Sequence, residues 1–280
     1  MTLAMAGFAI ADTLVKVTSA TMSPAQILLL LLSGGLIMFT LIALVQGDNL
    51  FDRRAFAPML LLRYLAEISG MVGMVTALAL VPLSTVGAVT QATPILVAVG
   101  AVVFLGEKVS WRRWTCIAIG FLGVLLIVRP GSAGFDFSVL WAVLAMVSLA
   151  VRDLSTRLIP PDIASSSMAV YTMIATVPCA ALWVLLEGDS LVPEKLDWLV
   201  VLPMVTLGSF GYVALIASMR IADVSVVTPF RYSRIIFLLA LGFLIFGERP
   251  SWQVWLGAAL VIASGLYMIW RERQIRASSS

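Results

Sequence analysis

Gly106-Glu107-Lys108-Val109-Ser110-Trp111-Arg112-Arg113-Trp114 and Gly247-Glu248-Arg249-Pro250-Ser251-Trp252-Gln253-Val254-Trp255 are one phrase written twice, 141 positions apart. Gly, Glu, Ser and both Trp residues recur in register. The same offset pairs Asp12 with Asp153, Lys16 with Arg157, Gly70 with Gly211 and Ser84 with Ser225. No net gap interrupts this register, so the chain reads as two related units, 1–137 and 138–280.

What surrounds the phrase is apolar. Hydrophobic residues make up 61% of the 280 and charged residues 12%, with a mean hydropathy of +1.06. Soluble domains average about 45–50% apolar and about 25% charged residues. A water-soluble fold cannot hide that surplus, so lipid must cover much of the outside. A net charge of +3 does not point to nucleic acid, because Lys and Arg cap the apolar runs instead of forming a basic face. Cys116 and Cys179 lie inside apolar runs, which argues against a disulfide framework or a zinc site. There is no histidine, so the commonest metal ligand and proton shuttle is missing; no cofactor is expected. The first apolar run has no preceding Lys or Arg and is interrupted by Asp12 and Lys16, unlike a signal peptide.

A helix of about 20 apolar residues crosses a bilayer core. Breaks at Pro, Gly and charged clusters predict ten such spans, over 3–20, 24–45, 56–80, 84–106, 111–129, 138–158, 165–187, 197–220, 224–247 and 252–270. Short links leave no room for a soluble domain. With the N-terminus inside, the inner links and tail hold Arg53, Arg54, Lys108, Arg112, Arg113, Arg157, Arg220, Arg271, Arg273 and Arg276. The outer links hold Lys16, Arg129, Lys195 and Arg249. That bias predicts that both the N- and C-termini are cytoplasmic. Five spans per unit is an odd number, so the second copy enters the membrane inverted. The fold class expected is an all-α integral membrane protein of ten transmembrane helices in two inverted five-helix repeats. Such repeats recur in secondary transporters, with the cargo site near the midplane where the halves meet.

Ten helices in two repeats, each with a Gly-Glu turn before a Trp-bearing last helix, resemble the drug/metabolite transporter superfamily and its EamA family. Within it the chain is most similar to the YddG-type bacterial amino-acid exporters. The resemblance implies a multi-pass protein of the bacterial inner membrane, with a cavity lined mainly by spans one, three, four, six, eight and nine. It implies alternating access by rocking halves, and export of aromatic and other neutral amino acids or similar small metabolites.

Polar residues at membrane depth usually face a partner or a wet cavity. In the third span, Arg63, Tyr64 and Glu67 fall within little more than a turn, Arg63 and Glu67 on one face at i and i+4. Thr90, Gln91 and Thr93 precede Pro94 in the fourth. Arg231, Tyr232 and Arg234 follow Pro229 in the ninth and are the repeat counterparts of Thr90, Gln91 and Thr93. An amino acid carries a carboxylate and an ammonium. Arg63, Arg231 or Arg234 suits the carboxylate through paired N–H donors; Glu67, Gln91 or a freed carbonyl suits the ammonium. Two readings stay open for each. Arg63 with Glu67 also makes sense as a self-satisfied structural pair, and Arg231 and Arg234 as snorkelling cations. Tyr64, Tyr171, Tyr212 and Tyr232 can stack on an aromatic cargo or simply pack the bundle.

Asp12 with Lys16 and Asp153 with Arg157 are repeated i, i+4 acid–base pairs, readable as helix stabilisers or as a gate. Glu107 and Glu248 are expected to face the N-terminus of the helix that follows. Pro94 and Pro229 are candidate gate breaks, since each frees a carbonyl that is tolerated at depth only against protein or water. An enzyme would need a nucleophile with its base, or a metal site, and the sequence offers few candidates. A channel would want rings of identical polar groups. Other cargoes of the superfamily, such as nucleotide sugars, phosphorylated sugars or drugs, remain alternatives; Arg152 adds one cation toward phosphorylated cargo.

Overall fold

The computed structural model of the chain describes residues 1–47, 58–106, 111–130, 136–156, 158, 165–194, 196–221 and 228–279. Within them run eleven α-helices: α1 (Thr2–Thr18), α2 (Pro24–Gln46), α3 (Pro58–Leu80), α4 (Leu83–Thr90), α5 (Thr93–Leu105), α6 (Trp111–Val128), α7 (Val139–Thr156), α8 (Ser165–Glu187), α9 (Trp198–Ile221), α10 (Ser233–Phe246) and α11 (Trp252–Ser279). A 3-10 turn, Thr228–Tyr232, leads into α10.

Local chemistry sets the helix ends. Ser23 and Gln26 form a capping box, with Pro24 at the first helical position of α2, where its missing N–H is not needed. Gly47, Gly106 and Gly247 end α2, α5 and α10 in the left-handed conformation (φ 70°, 65° and 62°), which glycine adopts without a Cβ penalty. The fourth predicted span is broken at Gln91–Ala92, between α4 and α5, just ahead of Pro94.

The expectation of ten spans, and with it two inverted five-helix repeats, is corrected. Among the described residues, seven helical stretches are long and apolar enough to cross a membrane: Pro24–Gln46, Leu60–Leu80, Leu83–Phe104, Val139–Thr156, Ser167–Glu187, Trp198–Leu215 and Trp252–Trp270. The other three fall short for visible reasons. α1 has 17 residues, about 25 Å of helix against a core of about 30 Å, and carries Asp12 and Lys16. α6 begins at Trp111, and its apolar piece among the described residues is Trp114–Val128. α10 has 14 residues and includes Arg234, and residues 224–227 of its expected span lie outside the described residues.

Helices from the two ends of the chain pack pairwise: α1 along α9, α3 along α7, α2 along α8, α6 along α11, and α4 on α10. Small residues allow close approach, as in membrane helix pairs generally. A Cβ on Gly73 would lie 2.9 Å from both Ala145 N and Trp141 O, and one on Gly123 would lie 2.7 Å from Gly257 O. The core lies between these pairs, with Ile27, Leu28, Leu32, Leu78, Leu83, Val86 and Leu238 at most 1% exposed. Val45, Phe104, Leu186 and Leu199 point outward, 76–89% exposed, an apolar surface suited to acyl chains.

Candidate functional site

Where α1, α3, α7, α9 and the breaks before α5 and α10 converge, they enclose a cavity of about 270 Å³. Its charged lining is Asp12, Arg63, Glu67, Arg152, Asp153, Arg231 and Arg234. Four arginines against three carboxylates leave one formal positive charge. Charges at this depth are tolerated because they pair with one another and border a wet space.

The largest network joins α3 to α7. Arg152 donates through Nη1 to Glu67 Oε1 at 3.1 Å, and through Nε and Nη2 to Asp153 Oδ1 at 2.9 and 2.7 Å. Arg63 donates through Nε to Thr156 Oγ1 at 3.1 Å and through Nη1 to Thr172 Oγ1. Its contact with Glu67 is long, 3.8 Å, so Glu67 belongs more to Arg152 than to its i−4 neighbour. On the opposite wall Arg234 donates to Asp12 Oδ2 from Nε at 3.1 Å and from Nη2 at 2.5 Å. It also lies over the Phe8 ring, 5.5 Å from its centroid.

Arg231 stands apart. Among the described residues its guanidinium has one ionic contact, 4.0 Å to Asp153 Oδ2, with its side chain 29% exposed. Its carbonyl accepts from Gln91 Nε2 at 3.2 Å. The cation with most N–H capacity to spare thus projects beside an acid whose second oxygen is also underused.

The structure brings most sequence candidates together. Arg63, Glu67, Thr90, Gln91, Arg231, Tyr232, Arg234, Pro94, Asp12 and Asp153 all line the cavity. Tyr64 does not; it is buried with Leu60 and Met168, next to Tyr171. Lys16 is outside the cavity lining and does not pair with Asp12: it donates to Leu78 O at 3.1 Å and Val81 O at 2.6 Å. Pro229 falls in the 3-10 turn ahead of Arg231. Arg157 and Glu107 lie outside the described residues. Glu248 reaches α4, Leu83–Thr90, and not the helix that follows it.

Other wall residues carry no sequence signal of their own. α2 and α8 supply Phe39, Thr172 and Met173, from spans outside the six implied by the resemblance. Thr172 reads as an ordinary helical threonine because its hydroxyl donates to Met168 O at 2.7 Å, yet that leaves its lone pairs to accept from Arg63. Met5, Met71, Met74 and Met173 give the cavity a soft, adaptable apolar portion.

The profile of the EamA-like transporter family matches the chain twice, over residues 1–129 and 136–270. Among curated proteins, the chain is 26% identical over 217 residues to an S-adenosylmethionine uptake transporter of Rickettsia prowazekii, covering 78% of this chain and 73% of that protein. It is 28% identical over 241 residues to a riboflavin transporter of Brucella anthropi, covering 83% and 84%. It is 29% identical over 271 residues to a pseudopaline exporter of Pseudomonas aeruginosa, covering 94% and 89%. A solved crystal structure shares the fold with a TM-score of 0.62 at 18% identity, over 95% of each chain. An all-α bundle with several membrane-crossing helices, a charged central cavity and two matches to one transporter profile lead to one assignment. This multi-pass membrane protein is a transporter of a small molecule, not an enzyme, and it belongs to the EamA-like transporter family, within the drug/metabolite transporter superfamily.

Proposed function

We propose that the chain exports amino acids, including aromatic and other neutral ones, across a bacterial inner membrane by alternating access through the central cavity. The observation that carries this reading is the surplus positive charge of the cavity together with the donors of Arg231 left unspent among the described residues. A zwitterion fits that imbalance: its carboxylate takes the paired N–H groups of Arg231, and its ammonium faces Asp153 Oδ2 and Glu67 Oε2. The aromatic and methionine lining then receives the side chain. A volume of about 270 Å³ lies just under the roughly 300–1,000 Å³ usual for drug-sized ligands, which favours a small cargo. Outward direction is supported by the likeness to the pseudopaline exporter, whereas the S-adenosylmethionine relatives work in uptake.

The halves 1–137 and 138–280 are the proposed moving bodies. Support comes from the two profile matches, which divide between 129 and 136.

A second reading is favoured by the relatives that take up S-adenosylmethionine. That molecule bears the same α-amino-acid head on a larger body, so the head-group chemistry would be shared and only the room for the rest would differ.

The deciding experiment is counterflow in proteoliposomes with neutral and aromatic amino acids, S-adenosylmethionine and riboflavin as competing cargoes. Exchange of amino acids, with KM raised about tenfold or more in Arg231→Ala because a charge-assisted pair is lost, supports the proposal. Exchange of riboflavin alone, or wild-type KM for amino acids in Arg231→Ala, overturns it.

A further inference from the structure

Toward the C-terminal end of α1 the cavity lining stops at Val15 and Leu78. Beyond it Val81, Leu83, Val86 and Leu238 are 0–1% exposed, so a cargo in the cavity meets a dry apolar plug. Above that plug the chain turns at Pro82, from the end of α3 into α4. Helix ends leave main-chain groups without intrahelical partners, and here two charged side chains take them from both sides.

Lys16, on α1, donates to the carbonyls of Leu78 at 3.1 Å and Val81 at 2.6 Å. Glu248 accepts from the N–H groups of Leu83 at 2.6 Å and Ser84 at 3.0 Å, and from the Ser84 hydroxyl at 2.7 Å. The aim of Glu248 is built in. Gly247 reverses the chain at φ 62°, and the Glu248 N–H returns to Gly242 O at 3.0 Å. The carboxylate then folds over Gly242, where a Cβ would stand 2.8 Å from Oε2. Lys16 also lies 5.6 Å from the centroid of the Phe246 ring. Three segments remote in sequence therefore meet on one turn.

We infer that Lys16 and Glu248 are the latch of this end of the cavity: they hold the Pro82 turn down on the plug, and passage of cargo through this end requires Glu248 to release Leu83 and Ser84. The bonds are charge-assisted and part-buried, hence stronger than neutral ones in water. Once broken they leave several backbone groups that only water can satisfy, so the end is either latched and dry or open and wet, a two-state element of the kind switching transitions need. The inference rests on the transport reading, but its test uses no cargo.

Val81→Cys is introduced into the full chain with Cys116 and Cys179 replaced by alanine, in nanodiscs that expose both faces to a membrane-impermeant maleimide. With the latch intact, the thiol at position 81 stays almost unlabelled. Adding Glu248→Gln, or Lys16→Met, raises the labelling rate about tenfold or more through loss of charge-assisted bonds. Ser84→Ala, which removes only the hydroxyl contact, raises it less and serves alone if the charge variants do not fold. Unchanged labelling in folded variants, judged by a cooperative thermal transition and an unshifted size-exclusion profile, overturns the latch, as does rapid labelling with the latch intact. Neither outcome bears on which cargo is carried, which the exchange panel decides separately.

Discussion

The Gln91 side-chain amide donates to the main-chain carbonyl of Arg231 at 3.2 Å, tying together the two places where a helix path is interrupted. Gln91 stands in the break between α4 and α5; Arg231 stands in the 3-10 turn before α10. A 3-10 turn leaves carbonyls poorly served by the helix that follows, and at depth each needs a donor. Gln91 supplies one while fixing the backbone from which the Arg231 guanidinium projects. Gln91→Ala is expected to lower stability by about 1 kcal/mol and to raise KM for a carboxylate cargo with little change in expression. Thermal unfolding in detergent and counterflow measure the two effects. A wild-type Tm and KM would show that the joint contributes nothing.

Arg152 is the hinge of the acidic network, touching both Glu67 and Asp153. Arg152→Met leaves two carboxylates with only the long contacts to Arg63 and Arg231. A loss of about 2–4 kcal/mol is expected, between the limits for exposed and fully buried pairs, because the cavity reaches part of the network. Adding Asp153→Asn should recover part of the lost Tm, whereas damage from lost packing alone would not be recovered.

Asp12 and Arg234 join α1 to α10 in the wall of the cavity. In a double-mutant cycle of Asp12→Asn and Arg234→Gln, the coupling energy from thermal unfolding should fall at about 1–3 kcal/mol, the range for residues in direct contact. Additive losses would mean that each group acts with another partner.

Glycine substitutions should separate by position. Gly73→Ala drives a Cβ against the α7 backbone at 2.9 Å and is expected to cost about 1–3 kcal/mol by overpacking. Gly208→Ala meets only the Ala11 Cβ at 3.7 Å, so the gain in helix propensity of up to about 1 kcal/mol should leave it neutral or slightly stabilised. Equal Tm values for the two variants would contradict the α3–α7 packing.

The tail beyond Trp270 carries Arg271, Arg273 and Arg276, and Lys or Arg next to a span favours the cytoplasmic face. A fluorescent reporter fused after Ser280 should therefore glow, and a phosphatase fused there should stay inactive. The opposite pair of results would place this end outside.

The likeness of residues 106–114 to 247–255 was legible as a repeat, and the polar positions in apolar runs pointed to the cavity wall. The partners were not legible. Spacing on one helix suggests Asp12 with Lys16 and Arg63 with Glu67, whereas the fold gives Asp12 to Arg234, Lys16 to the end of α3, and Glu67 chiefly to Arg152. An i, i+4 pair on a helix contributes only about 0.2–0.5 kcal/mol, so a charge arriving from a neighbouring helix overrides it. The span count failed for a related reason. Total apolar content marked out ten runs, but α1 reaches only 17 residues, with Asp12 and Lys16 inside it, α10 only 14 after the break before Ser233, and the apolar piece of α6 among the described residues is Trp114–Val128.

The amino-acid order by itself determined that this chain must live in lipid, where α2, α5 and α10 end, and which positions hold charge at depth. Those follow from composition and from backbone rules local to a few residues, such as the left-handed glycines 47, 106 and 247. Only the tertiary structure decided that Glu248 would cap α4 from 165 positions away and that Arg231 would keep donors to spare among the described residues. Which charges neutralise each other depends on helix rotation and on how closely glycines let backbones approach, and these are properties of the packed bundle.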